Sequence, residues 1–184
     1  MKDEISSKKK ALRKEIKLIK RSFSSDDRVI HSNTVMRKLE DSEEFNNSSS
    51  IFIYWAMDDE VDTREFIIKW YKEKTFILPT VDGDDLILKK FSGTDSLKSG
   101  DIYSIPEPKG KPFENLNDID LAIIPGVAFD KQNNRMGRGK AYYDKILKQM
   151  KANTHLIGIC YDFQFLEKVP VEEHDIKMDK VIHS

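Results

Sequence analysis

Short apolar runs rich in β-branched and aromatic residues recur along this chain: Ile51-Phe52-Ile53-Tyr54-Trp55, Phe76-Ile77-Leu78-Pro79, Leu121-Ala122-Ile123-Ile124 and Leu156-Ile157-Gly158-Ile159-Cys160-Tyr161. None alternates with polar residues, as a strand wet on one face would, so each reads as an interior strand. The segments between them carry a different period. Leu12, Ile16, Ile19 and Phe23 recur at helical spacing, with Ser6 and Ser7 as caps. A second helix is expected from Ser24-Ser25-Asp26-Asp27 through Val29, Val35, Met36 and Leu39. Asp62 can cap a third, with Phe66, Ile67 and Trp70 inward, and Tyr142, Tyr143, Ile146 and Leu147 predict a fourth over residues 140–150. Residues 43–50 read as a loop, Leu86-Ile87-Leu88 as an antiparallel excursion or edge strand, and 92–118, with its glycines and prolines, as a long irregular segment. Strands separated by helices give an α/β protein: a three-layer α/β/α, Rossmann-like arrangement with a mostly parallel sheet and helices on both faces. With 184 residues and no dividing linker, one domain over 1–184 is expected.

In such sheets ligands bind beyond the carboxyl ends of the strands. Three chemically rich segments follow strands directly: Ala56 to Glu60, Pro79 to Asp82, and Pro125 to Lys140. They are expected to converge. The last is the richest, carrying Lys131, Arg135, Arg138 and Lys140 with Gly137 and Gly139, between a strand and a helix start. Glycines let backbone N–H groups approach an anion, the helix dipole favours negative charge, and basic side chains neutralise it. This placement points to phosphate, although neither GxxxxGK[ST] nor a complete GxGxxG is present.

The remaining polar clusters allow more than one reading each. Asp58-Asp59-Glu60 could bond the N–H groups of a heterocycle, hold Mg²⁺, or form a solvated turn. Asp144 could be a metal partner or a helix-surface charge. His174-Asp175 and Asp179 could be metal ligands or a hydrogen-bonded turn, since their spacing matches no His/Cys metal motif. The single cysteine, Cys160, lies in an apolar run and reads as a packed strand residue, which suits a reducing compartment. No apolar stretch approaches the ~20 residues of a membrane span, and no signal-peptide core is visible, so a cytoplasmic protein is expected.

The net charge of −1 gives no global pull toward nucleic acid or membrane. Residues 1–21 nevertheless hold nine Lys/Arg against three Asp/Glu, either a solvated helix face or a contribution to anion binding. The residues alone lead to a phosphate-binding α/β enzyme. A sugar-phosphate isomerase and a non-catalytic RNA-binding module stay open as rivals. Dependence on ATP hydrolysis separates the first, and a steep loss of binding with salt would mark the second.

Taken together, these residues resemble the 5-formyltetrahydrofolate cyclo-ligase family. The likeness runs over nearly the whole chain in four anchors: Lys9-Lys10-Ala11-Leu12-Arg13; Tyr54 to Thr63; PGVAFD…RMGRGKAYYD, like the family's PGxAFD…RLGxGxGYYD; and Val169-Pro170…His174-Asp175…Met178-Asp179. The third is highly specific. The resemblance implies closure of the N5-formyl group of a reduced folate onto N10, with ATP as co-substrate and Mg²⁺ as cofactor, through a phosphorylated formyl intermediate that collapses to 5,10-methenyltetrahydrofolate, ADP and phosphate. It implies ATP contacts from Lys9 and Arg13, and a phosphate loop of Arg135, Met136, Gly137, Arg138, Gly139, Lys140 and Ala141 continuing into Tyr142 and Tyr143. Arg138, Lys140 and Tyr143 would be catalytic. Trp55, Glu60, Tyr103 and Tyr142 would meet the folate, and Asp144 and Asp179 the Mg²⁺. The implied partners are small molecules, with no nucleic acid or membrane, and a monomer. The family's glycine before Tyr-Tyr-Asp is Ala141 here, which suits a helix start and is expected to cost little unless the backbone there approaches the nucleotide.

Overall fold

The computed structural model describes residues 2–100 and 105–184. Helix α1 (Lys2–Ser22) carries Asp3 and Glu4 in its first turn and Lys20 and Arg21 in its last, the polarity the helix dipole favours. It begins upstream of Ser6 and Ser7, which lie inside the helix rather than capping it. Helix α2 (Ser25–Glu40) starts as expected, with the Ser24 hydroxyl accepting the Asp27 N–H at 3.1 Å. Of its apolar residues, Val35, Met36 and Leu39 are buried, but Val29 faces solvent at 60% exposure. One helical turn, α3 (Glu43–Asn46), capped by Ser42, occupies part of the expected loop. Helix α4 (Arg64–Trp70) has Thr63 at the cap position. Asp62 supplies the capping carboxylate one residue earlier, accepting the Arg64 N–H at 2.9 Å.

The strands are β1 (Ser50–Phe52), β2 (Thr75–Asp82), β3 (Asp85–Lys90), β4 (Leu97–Ser99), β5 (Pro106–Pro108), β6 (Leu121–Pro125), β7 (Ala128–Asp130), β8 (Arg135–Met136), β9 (His155–Cys160), β10 (Phe165–Leu166) and β11 (Lys180–His183), with α5 (Tyr142–Leu147) between β8 and β9. The six-stranded sheet has the order β11-β9-β6-β1-β2-β3. Its first five strands are parallel, and β3 returns antiparallel on β2, the edge excursion expected of residues 86–88. Small sheets β10-β7-β8 and β4-β5 complete the topology.

Each interior strand alternates between two apolar layers, which is why its sequence reads as a continuous hydrophobic run. Ile51, Ile53, Phe76, Leu78, Leu121 and Ile123 pack with Val35 and Leu39 of α2 and Phe66 and Ile67 of α4. Phe52, Ile77, Ala122 and Ile124 point the other way, toward Ile146 and Leu147 of α5. Helices thus cover both faces. Burying each of these side chains stabilises the fold by roughly 1.5–3 kcal/mol. Phe129 of β7 belongs to the second layer, and a Cβ on Gly126 or on Gly158 of β9 would fall inside its ring. These two glycines serve packing between the small and large sheets.

Candidate active site

The carboxyl ends of β1, β2 and β6 open on a cavity of about 340 Å³. As expected, Trp55, Met57 and Glu60 reach it after β1, Pro79 and Val81 on β2, and Pro125 to Lys140 after β6. Part of the lining is apolar, with Trp55, Pro79, Val81, Leu86 and Ile105. The rest brings together Lys9 and Arg13 of α1, the glycine loop, α5 and the C-terminal turn at Glu172–Asp175.

The basic stripe of α1 points at this site. Lys9, Arg13, Ile16 and Lys20 follow one another at spacings of four, three and four, which places them on a single helical face. Lys9 is buried, with its ammonium 2.7 Å from Glu172 and 2.6 Å from Asp175. Burial pulls its pKa down, but the two carboxylates outweigh this and hold it above the usual lysine value. The Arg13 Nε donates to the Gly137 carbonyl at 2.9 Å.

The loop cations are held differently from one another. Arg135 is only 4% exposed and pairs with Asp144 at 2.8 Å beneath the Tyr143 ring, so it forms part of the cavity wall. Arg138 is half exposed and bridges Asp59 at 2.7 Å and Glu60 at 3.1 Å. Glu60 also accepts the Met57 N–H, yet burial of its side chain raises its pKa above the usual glutamate value. Lys140 lines the cavity and makes no ion pair among the described residues.

Of the two acids expected at a metal, only one is here. Asp144 lines the cavity and accepts the Ile176 N–H at 3.2 Å, which draws the C-terminal turn against α5. Asp179 does not line the cavity. Its carboxylate accepts the Leu156 N–H at 2.7 Å, at the amino end of β9, while the site lies at the carboxyl ends. The C-terminal acid that does arrive is Asp175. It clusters with Glu172 and His174, one ligand atom of each lying within 4.8 Å of the others.

Among the remaining predicted residues, Tyr142 and Tyr143 line the cavity. The Tyr142 hydroxyl donates to the Gly83 carbonyl in the β2–β3 turn at 3.2 Å. Tyr143 stacks on Phe52, and burial raises its pKa, so it is a neutral phenol. Met136 is 1% exposed, packs with Ala128 and Val169, and does not line the cavity. Tyr103 lies outside the described residues. Ala141 departs from expectation: it is the N-cap of α5 with φ 55° and ψ 15°, left-handed backbone that glycine adopts without steric cost. Ala141→Gly is therefore expected to raise the melting temperature by about 2 °C. A fall on thermal unfolding would show that the alanine methyl contributes more than its backbone costs.

Sequence reasoning passed over Ser6, Leu86, Glu107 and Glu172, all in the lining. Glu107 is 9% exposed in β5, where its carboxylate accepts the Val81 N–H at 3.4 Å. An acid between Pro106 and Pro108 carries no motif; the contact of β5 with β2 at Val81 places it in the site.

Comparison with known proteins now bears on this geometry. The model of the 5-formyltetrahydrofolate cyclo-ligase family matches residues 5–184. The mouse protein named 5-formyltetrahydrofolate cyclo-ligase is 30% identical over 192 residues, spanning 97% of this chain and 95% of its own. The Escherichia coli K12 protein of the same name is 30% identical over 140 residues, 72% of this chain and 76% of its own. Among solved structures, the Aquifex aeolicus 5,10-methenyltetrahydrofolate synthetase superposes with a TM-score of 0.85 at 34% identity, covering 95% of this chain and 89% of that one. The Mycoplasma pneumoniae 5,10-methenyltetrahydrofolate synthetase gives 0.77 at 27% identity, covering 95% and 97%.

Proposed function

This chain belongs to the 5-formyltetrahydrofolate cyclo-ligase family and is an enzyme converting 5-formyltetrahydrofolate to 5,10-methenyltetrahydrofolate; from that premise we propose that it does so with ATP and Mg²⁺ in the cavity at the carboxyl end of its sheet. The observation that carries this reading is the juxtaposition, in one cavity, of an apolar wall with Glu60 and a glycine loop bearing Arg138 and Lys140. The first suits a flat pterin with N–H donors, and the second a phosphoryl group.

A formamide oxygen is a poor nucleophile, and oxide is a poor leaving group. In the proposed reaction the formyl oxygen attacks the γ-phosphorus, the bond to the β-γ bridging oxygen breaks, and ADP leaves. N10 then attacks the phosphorylated iminium carbon, its N–H proton passes to the departing phosphate, and the C–O bond breaks to release hydrogen phosphate carrying the former formyl oxygen. No protein nucleophile is needed. The enzyme aligns two substrates and neutralises charge, with Arg138 and Lys140 on the phosphoryl oxygens, Arg13 holding the glycine loop, and Tyr143 supplying a neutral hydroxyl. Glu60 and Trp55 hold the pterin, with Tyr142 at the edge of the folate pocket.

For Mg²⁺ the donors that fit are the hard carboxylate oxygens of Asp175 and Glu172, which already flank the Lys9 ammonium, so the ion would be held beside that lysine, with Asp144, paired to Arg135, lining the same cavity. The ion would offset phosphate charge when bound. Asp175→Asn is accordingly expected to raise the Mg²⁺ concentration for half-maximal turnover by at least about 10-fold, and Asp179→Asn by less than about 2-fold. The reverse ranking would return the metal to Asp179.

The central test is incubation with 5-formyltetrahydrofolate and Mg-ATP, watching the near-ultraviolet absorbance of the methenyl product. Product formation only with both substrates and the metal is expected. Equal formation without ATP would remove the phosphoryl-transfer reading.

A further inference from the structure

Lys20 takes no part in the chemistry above, yet among the described residues it and Lys9 are the two buried lysines. Only 8% of it is exposed, and burial holds its pKa below the usual lysine value. Burying an ammonium is costly unless its partners are well placed. Its partners are both on one residue: the Lys20 Nζ lies 2.6 Å from the Asp59 carbonyl oxygen and 3.2 Å from the Asp59 Oδ2. The other carboxylate oxygen, Oδ1, accepts from the Arg138 Nη2 at 2.7 Å, and that guanidinium also reaches Glu60 at 3.1 Å. Arg28 braces the same turn from α2, donating to the Asp58 carbonyl at 2.5 Å and to the Lys20 carbonyl at 2.6 Å.

We propose that Lys20 and Asp59 are positioning residues, forming a relay from α1 that fixes the acidic turn and through it sets where Glu60 and Arg138 stand. Asp59 is the hinge of this relay. One of its oxygens faces the buried ammonium and the other the loop arginine. Lys20 supplies the second positive charge that lets two adjacent carboxylates share one guanidinium. Without it, Asp59 has a single cation left and draws Arg138 away from Glu60. The stripe on α1 thereby touches three loop segments of the site: Lys9 the C-terminal turn, Arg13 the glycine loop, and Lys20 the acidic turn.

The inference rests on the assignment of Glu60 to folate, so Glu60→Gln is the control. Lys20→Met is expected to raise the KM for 5-formyltetrahydrofolate about 10-fold, with the KM for ATP changed less than about 2-fold. Asp59→Asn, at a half-exposed position that folding tolerates, is expected to do the same. Adding Lys20→Met to Asp59→Asn should then change the folate KM by less than about 2-fold more, because the two act in series. Lys20→Arg should restore much of the wild-type value. A Lys20→Met or Asp59→Asn enzyme with lowered melting temperature but unchanged folate KM would overturn the relay, as would effects that multiply in the double variant. If Glu60→Gln itself leaves the folate KM unaltered, the failure lies in the assignment of the pterin end.

Discussion

Replacing Arg138 with alanine is expected to lower turnover about 10³-fold while leaving the melting temperature within a few degrees of wild type. The side chain is half exposed, and among the described residues its guanidinium bonds only to Asp59 and Glu60, so little of the fold depends on it. What it offers is a planar donor on a loop with Gly139 at φ 98°, beside the Glu60 carboxylate proposed to hold the pterin. Its ion pair neutralises that carboxylate. With nucleotide present it would turn to phosphoryl oxygens whose charge grows along the reaction path. A lysine has the charge but not the fork, so Arg138→Lys should recover part of the loss and not all of it. Lys140→Ala should cost less, about 10²-fold, since an exposed ammonium is a flexible point charge. Single-turnover rates with saturating substrates, alongside circular dichroism, measure both effects. Normal turnover by purified Arg138→Ala and Lys140→Ala would remove the phosphoryl group from this loop.

The interior of the sheet was legible because strands covered on both faces need apolar residues at every position. β1, β2, β6 and β9 satisfy this over a few residues each, and the helix periods between them dictate parallel crossovers. β11 was missed. It is an edge strand of four residues with Val181 and Ile182 as its only apolar pair, too short to show a period. The small sheet β10-β7-β8 was missed for a related reason. Strands β7 and β8, of three and two residues, lie inside what reads as a single basic loop, and β7 also pairs with β10, whose Phe165 is distant in sequence.

The site was legible where chemistry is local and hidden where topology decides. Glu60, Arg138 and Lys140 sit in segments that directly follow strands, so the carboxyl-end rule brings them together. Asp175 and Asp179 are four residues apart and alike in chemistry. Only the course of the chain, which sends Asp179 to the amino end of β9, separates them. Ala141 hides its backbone state, because an alanine ordinarily marks a right-handed helix. Lys20 hides for the opposite reason: as one of nine Lys/Arg in its helix it looks like solvated surface, and only its place in the Lys9–Arg13–Ile16 stripe marks it as inward.

The motif acid Asp130 should prove the most sensitive position for stability. Asp130→Ala is expected to destabilise the protein by about 4 kcal/mol, a fall of roughly 10–15 °C in melting temperature. The residue is fully buried, and among the described residues it has no cationic partner. Its Oδ1 accepts the N–H groups of Gln132 and Asn134 at 3.0 Å, while its Oδ2 accepts the Asn134 Nδ2 at 3.0 Å and the Val169 N–H at 2.9 Å. It therefore closes the 130–134 turn and ties it to the C-terminal Val169-Pro170, joining two anchors that the sequence places far apart. Burial alone would raise its pKa, but the hydrogen bonds outweigh burial and hold it below the usual aspartate value. A depressed folded-state pKa gives stability that is fully present above the unfolded value of about 3.9 and is lost as pH falls through the folded value. The wild type should thus lose stability on acidification below about pH 4. Asp130→Asn, which turns a donor toward the Val169 and Asn134 donors, should be less stable at neutral pH and show a flatter acid limb. Chemical denaturation across that range measures both, and an unchanged acid limb in Asp130→Asn would assign the acid sensitivity to other carboxylates.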